Sequence, residues 1–359
     1  MEIFSCETKI ISGHGAIREL KQMRSKRLLV VAAPFFKDTD VPRRIQNAAG
    51  ADSVAFFYEV KGEPSVELAA EGTALVQKFE PDTVVAVGGG SVMDCAKAMI
   101  YFAGKPIPLV AIPTTSGSGS EVTDFSVLSH KDGKHPLVDK KLLPAMAILD
   151  GDLLHTLPKG IIADAGYDIV AHAVESYVAT GSGAISRAFA RDAFVTALQK
   201  LPASYRGDSA VRQDIHLAAT MAGVAFSQSG LGLCHAISHI LGGRFHIAHG
   251  KLNAILLPAV VERNTAAYGV YAELARSAGL GGTADTIAVR NLRNALLSLQ
   301  KQLQQPQTLA QAGIAPREVA EHTPAIVKAV LEDPCCKTNP VPPTEELVRQ
   351  ILLQVTGSG

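Results

Sequence analysis

One segment restricts the possible folds more than any other. Thr83-Val84-Val85-Ala86-Val87 is a β-branched apolar run. It stops at Gly88-Gly89-Gly90 and passes through Ser91 into the apolar, helically spaced stretch Val92 to Phe102. A buried strand that runs through glycines into a helix is the opening half of a β-α-β unit, and such units build parallel sheets covered by helices. Glycines let the backbone approach a phosphate closely. Ser91 can cap the helix, whose free N–H groups and partial positive charge then face the anion. The spacing is not G-x-G-x-x-G, so the ordinary dinucleotide fingerprint is not met. A tight strand-to-helix turn without a ligand is the plain alternative.

The surrounding sequence repeats the pattern. Leu28 to Ala33, Ser53 to Tyr58 and Leu109 to Ile112 read as strands, and Ser65 to Phe79 reads as a helix. After the strand ending at Ile112 comes a second polar loop, Pro113-Thr114-Thr115-Ser116-Gly117-Ser118-Gly119-Ser120-Glu121. It lies at the carboxyl end of a parallel strand, the edge at which open α/β sheets bind ligands. Its hydroxyls and backbone suit phosphate, ribose and amide groups, and two such loops in successive units make an idle surface loop the weaker reading.

Near Leu157-Pro158 the pattern changes. Asp164 to Val178, Ile185 to Leu198, Asp214 to Phe226, Leu233 to Leu241 and Glu345 to Val355 all have helical spacing. The expectation is an α/β dinucleotide-binding domain over residues 1–154 and an all-helical domain over 155–359, a division that fits 359 residues. No fixed-period repeat is visible.

Composition excludes several classes. Apolar residues make up 47%, enough for large cores. There are 34 Lys plus Arg and 34 Asp plus Glu, which gives no electrostatic case for nucleic acid or an anionic membrane. No uncharged run reaches the roughly 18 apolar residues of a membrane span, and the N-terminus lacks a signal-peptide pattern. A cytoplasmic protein is expected. Cys6, Cys95, Cys234, Cys335 and Cys336 are odd in number and unevenly spread, which is no disulfide framework. No C-x-x-C pair exists, and the vicinal Cys335-Cys336 reads more readily as a bystander than as a redox pair.

The chemistry concentrates in the helical half. Asp168 and His172 are four residues apart and share a helix face, as do His235 and His239, with His249 following in Ala248-His249-Gly250. One carboxylate and several imidazoles suit a first-row divalent cation. Three His and one Asp leave a position for a substrate oxygen if the metal exceeds four ligands. Each His alone has a plain reading as a satisfied core residue, but burying four such groups unpaired is costly. His235-Ala236-Ile237-Ser238-His239 has the spacing of the zinc-protease H-E-x-x-H helix, but Ala236 stands where the general-base Glu belongs.

Taken in order, these motifs resemble the iron-containing (group III) alcohol dehydrogenases. The resemblance rests on Gly88-Gly89-Gly90-Ser91 with Asp94 and Lys97, Pro113-Thr114-Thr115, Ser120-Glu121-Val122-Thr123 and Ala147-Ile148-Leu149-Asp150. It continues through Gly166-Tyr167-Asp168, His172-Ala173-Val174-Glu175, Gly230-Leu231-Gly232-Leu233-Cys234-His235, His249-Gly250 and Asn253-Ala254-Ile255-Leu256-Leu257-Pro258. Phe4-Ser5, His135-Pro136-Leu137, Met221 to Gln228 and Thr338-Asn339-Pro340 are similar to the propanol dehydrogenases within that family.

The resemblance implies Asp168, His172, His235 and His249 as metal ligands, for Fe(II) or Zn(II). It implies a proton-relay role for His239. Gly89, Gly90, Ser91 and Asp94 match the pyrophosphate loop, Thr114, Thr115 and Ser118 match the second cofactor loop, and Lys134 and Leu153 match further cofactor contacts. Ala33 occupies the place after the first strand where family members often carry an Asp that excludes a 2′-phosphate, so NADP(H) joins NAD(H) as a candidate. Ser118 replaces a commoner Thr, and Ala248 replaces the usual Pro before His249.

The activity implied is interconversion of short-chain aldehydes and primary alcohols, with propanal and 1-propanol as the expected pair. In that reading a bound cation would polarise the carbonyl, and a cleft between the domains is expected to exclude water. Ethanol, lactaldehyde or diol oxidation, a glycerol-dehydrogenase-like activity and a hydroxyacid-oxoacid transhydrogenase are the enzymatic rivals. A non-catalytic partner in a bacterial microcompartment is the rival from another class. A homodimer or larger assembly is expected, with a microcompartment shell as a further candidate partner.

Overall fold

The computed structural model describes residues 3–130 and 133–357, the side chain of Lys134 excepted. The strands are β1 Lys9–Ser12, β2 Arg27–Ala32, β3 Ser53–Phe57, β4 Thr83–Gly88, β5 Leu109–Pro113, β6 Phe125–His130, β7 Gly133–Val138 and β8 Met146–Leu149. Six of them form one sheet in the order β1-β8-β5-β4-β2-β3, with every pair parallel. Its central strands are apolar on both faces because helices cover both faces. Leu28, Val30, Val85, Val87, Val110 and Ile112 enter one core, and Leu29, Val31, Val84, Ala86, Leu109 and Ala111 enter the other. That alternation is the strand's period of two applied to a sheet buried on both sides.

The helices of this unit are α1 Val41–Ala49, α2 Val66–Phe79 and α3 Gly90–Ala103. Ser65, read from sequence as the first helical residue, is instead the cap of α2, its hydroxyl accepting from Leu68 N at 3.1 Å. Helix α3 begins at Gly90, two residues earlier than its apolar spacing indicates.

Strands β1 and β8 and the antiparallel hairpin β6–β7 were not anticipated. Four-residue strands are too short for a period to register, and Pro136 inside β7 argues locally against a strand. The motif residue Asp150, directly after β8, has a structural role. Its buried carboxylate accepts from Gly15 N, Ile17 N and Asp152 N at 3.0–3.1 Å and so holds the turn after β1 to the end of β8.

The other unit is helical throughout its described residues. It comprises α4 Lys159–Val178, α5 Ala184–Arg206, α6 Arg212–Ser229, α7 Leu233–Phe245, α8 His249–Arg263, α9 Tyr268–Ser277, α10 Asp285–Gln302, α11 Pro316–Glu332 and α12 Glu345–Thr356. Helix α5 continues past Leu198 through Pro202, and α8 contains Pro258. Both prolines are buried, and packing outweighs the local penalty of a missing N–H.

The two compact units are Ser5–Leu157 and the chain from Pro158 onward, the latter joined by Phe4. Phe4 stacks on Phe189, with centroids 5.8 Å apart and planes at 4°. The fold is therefore the expected one, a parallel α/β unit and an all-α unit; the division between the two compact units falls after Leu157, where the sequence placed it after residue 154. Among the described residues no single helix is long and apolar enough to cross a membrane.

Candidate metal centre and nucleotide loops

In the sheet unit, β4 and β5 are neighbours with Gly88 opposite Pro113, so their following loops leave the same edge side by side. Thr114 N donates to Gly88 O at 2.9 Å. A Cβ on Gly89 would lie 3.1 Å from Thr115 Oγ1, and one on Gly90 would lie 2.9 Å from Ser118 Oγ. The glycines are thus needed where the hydroxyls of the second loop close onto the first. Gly89, Gly90, Ser91, Thr114, Thr115 and Ser118 come together as expected, at the amino end of α3.

Asp94 and Lys97 face the second loop from α3. Asp94 accepts from Ser120 Oγ at 2.7 Å and from Val127 N at 3.1 Å. Lys97 Nζ donates to Ser120 Oγ, Thr123 O, Thr123 Oγ1 and Phe125 O at 2.8–3.2 Å. Asp94, expected with the pyrophosphate loop, has both carboxylate oxygens engaged elsewhere, one with Ser120 of the second loop and the other with Val127 N of β6. Burial pushes the Lys97 amine down to about 8 against the pull of Asp94, and burial pushes the Asp94 carboxyl up.

Ala33 follows β2, which pairs with β3 on one side and β4 on the other. The chain reverses its direction of strand addition between β2 and β4, and such switch points form the ligand crevice of open α/β sheets. Leu153 lies in a 3-10 turn after β8 and packs into a sheet core. The side chain of Lys134 lies outside the described residues.

In the helical unit, α4 carries Asp168, His172 and Glu175 along one face. Helices α6 and α7 meet at 104° across Gly230-Leu231-Gly232. Gly230 has φ +78°, and a Cβ there would lie 2.4 Å from Thr338 Oγ1. On Gly232 a Cβ would lie 2.7 Å from Asn339 Oδ1 and 2.8 Å from Glu175 Oε1. Asn339 Oδ1 accepts from Leu233 N at 3.1 Å. This bend delivers His235 to α4. His249 begins α8, and a Cβ on Gly250 would lie 1.9 Å from Asp164 O, so only glycine lets α8 pass α4 this closely.

Three imidazole nitrogens converge on one carboxylate oxygen. Asp168 Oδ1 lies 3.8 Å from His172 Nε2, 3.8 Å from His235 Nε2 and 3.6 Å from His249 Nε2. Donor atoms of Asp168, His235 and His249 all lie within 4.8 Å of one another. The ring of His172 stacks between Phe226 (4.4 Å) and His235 (4.6 Å). The structure therefore gathers all four residues that the sequence indicated as ligands.

Two further residues, whose roles sequence reasoning missed, orient this set. Glu175 is buried and accepts from His235 Nδ1 at 2.6 Å, and also from the backbone N–H groups of Gly232, Cys234 and His235. With its Nδ1 proton engaged, His235 presents the Nε2 lone pair. Asn253 on α8 donates through Nδ2 to Asp168 Oδ1 at 2.8 Å, while its Oδ1 accepts from Ser238 Oγ at 2.5 Å. Both residues lie inside quoted motifs, and the i, i+4, i+7 spacing of Asp168, His172 and Glu175 was the available signal.

The charges match a cation-binding centre. Burial alone pushes the Asp168 carboxyl up, but His172, His235 and His249 hold it well below the usual carboxylate range. Burial disfavours charge on His235, yet Asp168 and Glu175 raise it to about 9. His249 is pushed well below its ordinary value by burial and the neighbouring rings, against the pull of Asp168. Three nitrogens, one carboxylate oxygen and a carboxylate behind one imidazole fit a divalent first-row cation.

His239, one turn after His235, lies at the rim. Its side chain is 37% exposed, its ring stacks 5.3 Å from that of His249, and Nδ1 contacts Asp333 Oδ2 at 3.0 Å. Asp333 was not anticipated, because nothing in the local sequence links residues 94 positions apart.

Comparison with known proteins gives a consistent result. Residues 7–151 match the model of the iron-containing alcohol dehydrogenase family, and residues 162–356 match the C-terminal model of the Fe-containing alcohol dehydrogenase family. A 1-propanol dehydrogenase of Salmonella typhimurium is 38% identical, over 98% of this chain and 99% of that protein. An NADPH-dependent butanol dehydrogenase of Clostridium saccharobutylicum is 34% identical, over 94% of this chain and 93% of its own length. Among solved structures, an iron-containing alcohol dehydrogenase from Thermococcus thioreducens superposes with a TM-score of 0.91 at 33% identity, covering 98% and 99% of the two chains. A sulfoacetaldehyde reductase from Bifidobacterium kashiwanohense in complex with NAD+ gives a TM-score of 0.91 at 25% identity, over all of both chains.

Proposed function

The chain belongs to the iron-containing alcohol dehydrogenase family, and from that premise we propose that it interconverts short-chain aldehydes and primary alcohols, with propanal and 1-propanol as the preferred pair. The observation that carries this reading is the convergence of His172, His235 and His249 Nε2 on Asp168 Oδ1, with Glu175 behind His235. These four residues are the proposed ligands of Fe(II), with Zn(II) acceptable to the same donors. When bound, the cation supplies Lewis acidity toward the substrate oxygen.

The chain's own residues do the rest. Glu175 and Asn253 hold His235 and Asp168 in place through direct hydrogen bonds and so orient two of the four donors. His239, half exposed and tethered by Asp333, is placed to pass a proton between the substrate oxygen and solvent. Gly89, Gly90, Ser91, Thr114, Thr115 and Ser118 hold the nicotinamide carrier through its phosphates and sugars, with Lys134 and Leu153 as further contacts.

NAD(H) is the proposed carrier, in line with a structural neighbour solved with NAD+. A second reading, use of NADP(H), is favoured by two observations. Ala33 places no carboxylate at the switch point between β2 and β4, and a relative at 34% identity is named as NADPH-dependent. The protein is further proposed to act as a homodimer or larger assembly in the cytoplasm, with a microcompartment shell as a candidate partner.

The test is oxidation of NADH by propanal after anaerobic reconstitution with Fe(II) or Zn(II), run beside the metal-free protein. Metal-dependent turnover is expected. Equal turnover without metal, or none with any short aldehyde when metal and carrier are bound, overturns the proposal.

A further inference from the structure

Next to the Asp168 centre, and outside its ligand set, lies another group of donors. His239, Asp333 and Cys335 each bring one ligand atom to within 4.8 Å of the others. His239 projects from α7, and the other two lie on the 3-10 turn after α11, whose cap is Asp333. The turn is braced by Asp333 itself, which accepts from Cys335 N at 2.8 Å and contacts His239 Nδ1 at 3.0 Å. The Asp333 side chain is 9% exposed and that of His239 37%, so the donors are held by the protein yet reachable from solvent.

We propose that His239, Asp333 and Cys335 form a second metal site, selective for soft divalent ions such as Zn(II) and Cd(II) over Fe(II), and that its occupation inhibits the enzyme by capturing His239. One nitrogen, one carboxylate oxygen and one sulfur are a ligand set that zinc accepts with water in the fourth position. Thiolate distinguishes this site from the sulfur-free Asp168 centre and favours soft ions. At rest the Cys335 thiol keeps its proton, because burial and Asp333 both push its pKa well above the ordinary value. On metal entry the sulfur–metal bond forms as the thiol proton leaves to solvent, and the proton that His239 Nδ1 donates to Asp333 at rest is lost from Nδ1, with one proton remaining on Nε2, so that the Nδ1 lone pair turns to the metal. His239 is then locked and cannot relay protons.

The neighbouring Cys336 is not part of the site. It is buried, and its thiol donates to Val330 O at 2.9 Å. His239 stacks on His249, so repulsion from a cation held by the Asp168 centre would make this the weaker and later-filled site.

Binding rests on the three residues alone, whereas inhibition rests on the reading of His239 as the proton relay. The test titrates full-length, iron-loaded protein anaerobically with Cd(II), following the ultraviolet thiolate-to-cadmium charge-transfer band and aldehyde reduction together. The sulfur-free first centre cannot produce that band. The wild type is expected to give a saturating, stoichiometric band, with activity falling in parallel. Cys335→Ser, checked by circular dichroism and iron content, is expected to keep its activity without Cd(II), to lose the band and to weaken binding more than the roughly tenfold that loss of even an outer-shell partner costs. Cys336→Ser is expected to behave as wild type. A band that survives in Cys335→Ser overturns the site. A band that tracks Cys335 while activity is unchanged upholds the site and overturns the inhibition.

Discussion

At the scale of single residues, the centre depends on side chains outside the proposed ligand set. Glu175 satisfies one imidazole N–H and three backbone N–H groups at the amino end of α7. Glu175→Gln keeps the volume but weakens these charge-assisted bonds, and metal affinity is expected to fall about 10- to 100-fold. Competitive titration against a chelator measures this, and unchanged affinity would show that Glu175 does not orient His235. His235→Ala removes a donor outright and is expected to abolish both metal retention and turnover. Ala33 makes a prediction in the sheet unit. Ala33→Asp is expected to shift the ratio of kcat/KM values toward NADH by tenfold or more, since a carboxylate there bonds a ribose 2′-hydroxyl and repels a 2′-phosphate.

Elements meet where glycine permits and where buried charge ties them. Gly250→Ala would push a Cβ to within 1.9 Å of Asp164 O, a backbone atom that cannot swing aside. A stability loss of about 1–3 kcal/mol, read by denaturant unfolding, is expected from overpacking alone, with displacement of His249 lowering metal content as well. Lys97 ties α3 to the loop after β5. Its folded-state pKa is about 8, against about 10.4 for an unfolded lysine. Below pH 8 both states carry the proton, and the folded state bears the cost of a buried ammonium. Between these values only the unfolded state stays protonated, so the stability of wild type relative to Lys97→Met rises as pH rises. Paired urea titrations between pH 7.5 and 10 check this, and a relative stability that falls over the same window contradicts the assignment.

At the scale of the whole molecule, a cation that binds only the folded helical unit stabilises it by mass action. At a hundredfold excess over Kd the gain is about 2.7 kcal/mol. Chelation is therefore expected to lower the Tm of the transition that reports the helical unit, and Fe(II) or Zn(II) to restore it, in the His235-containing chain but not in His235→Ala. Scanning calorimetry with and without metal measures the shift.

Much of this protein was legible before folding. The strands β2 to β5 are apolar runs of one unit's parallel sheet, and α3 follows β4 through glycine, because local burial and backbone freedom are written in adjacent residues. The spacings Asp168/His172 and His235/His239 announced shared helix faces for the same reason. The four-residue strands β1 and β8 left no periodic trace, and α5 and α8 run through Pro202 and Pro258, where packing outweighs the local penalty. Only tertiary structure could decide that Asp168, His172, His235 and His249 share one oxygen-centred cluster, that Glu175 orders the bend before α7, and that Asp333 and Cys335 meet His239. Those meetings depend on helix crossings set by Gly230, Gly232 and Gly250, and a crossing is a property of two surfaces in contact rather than of either sequence segment alone.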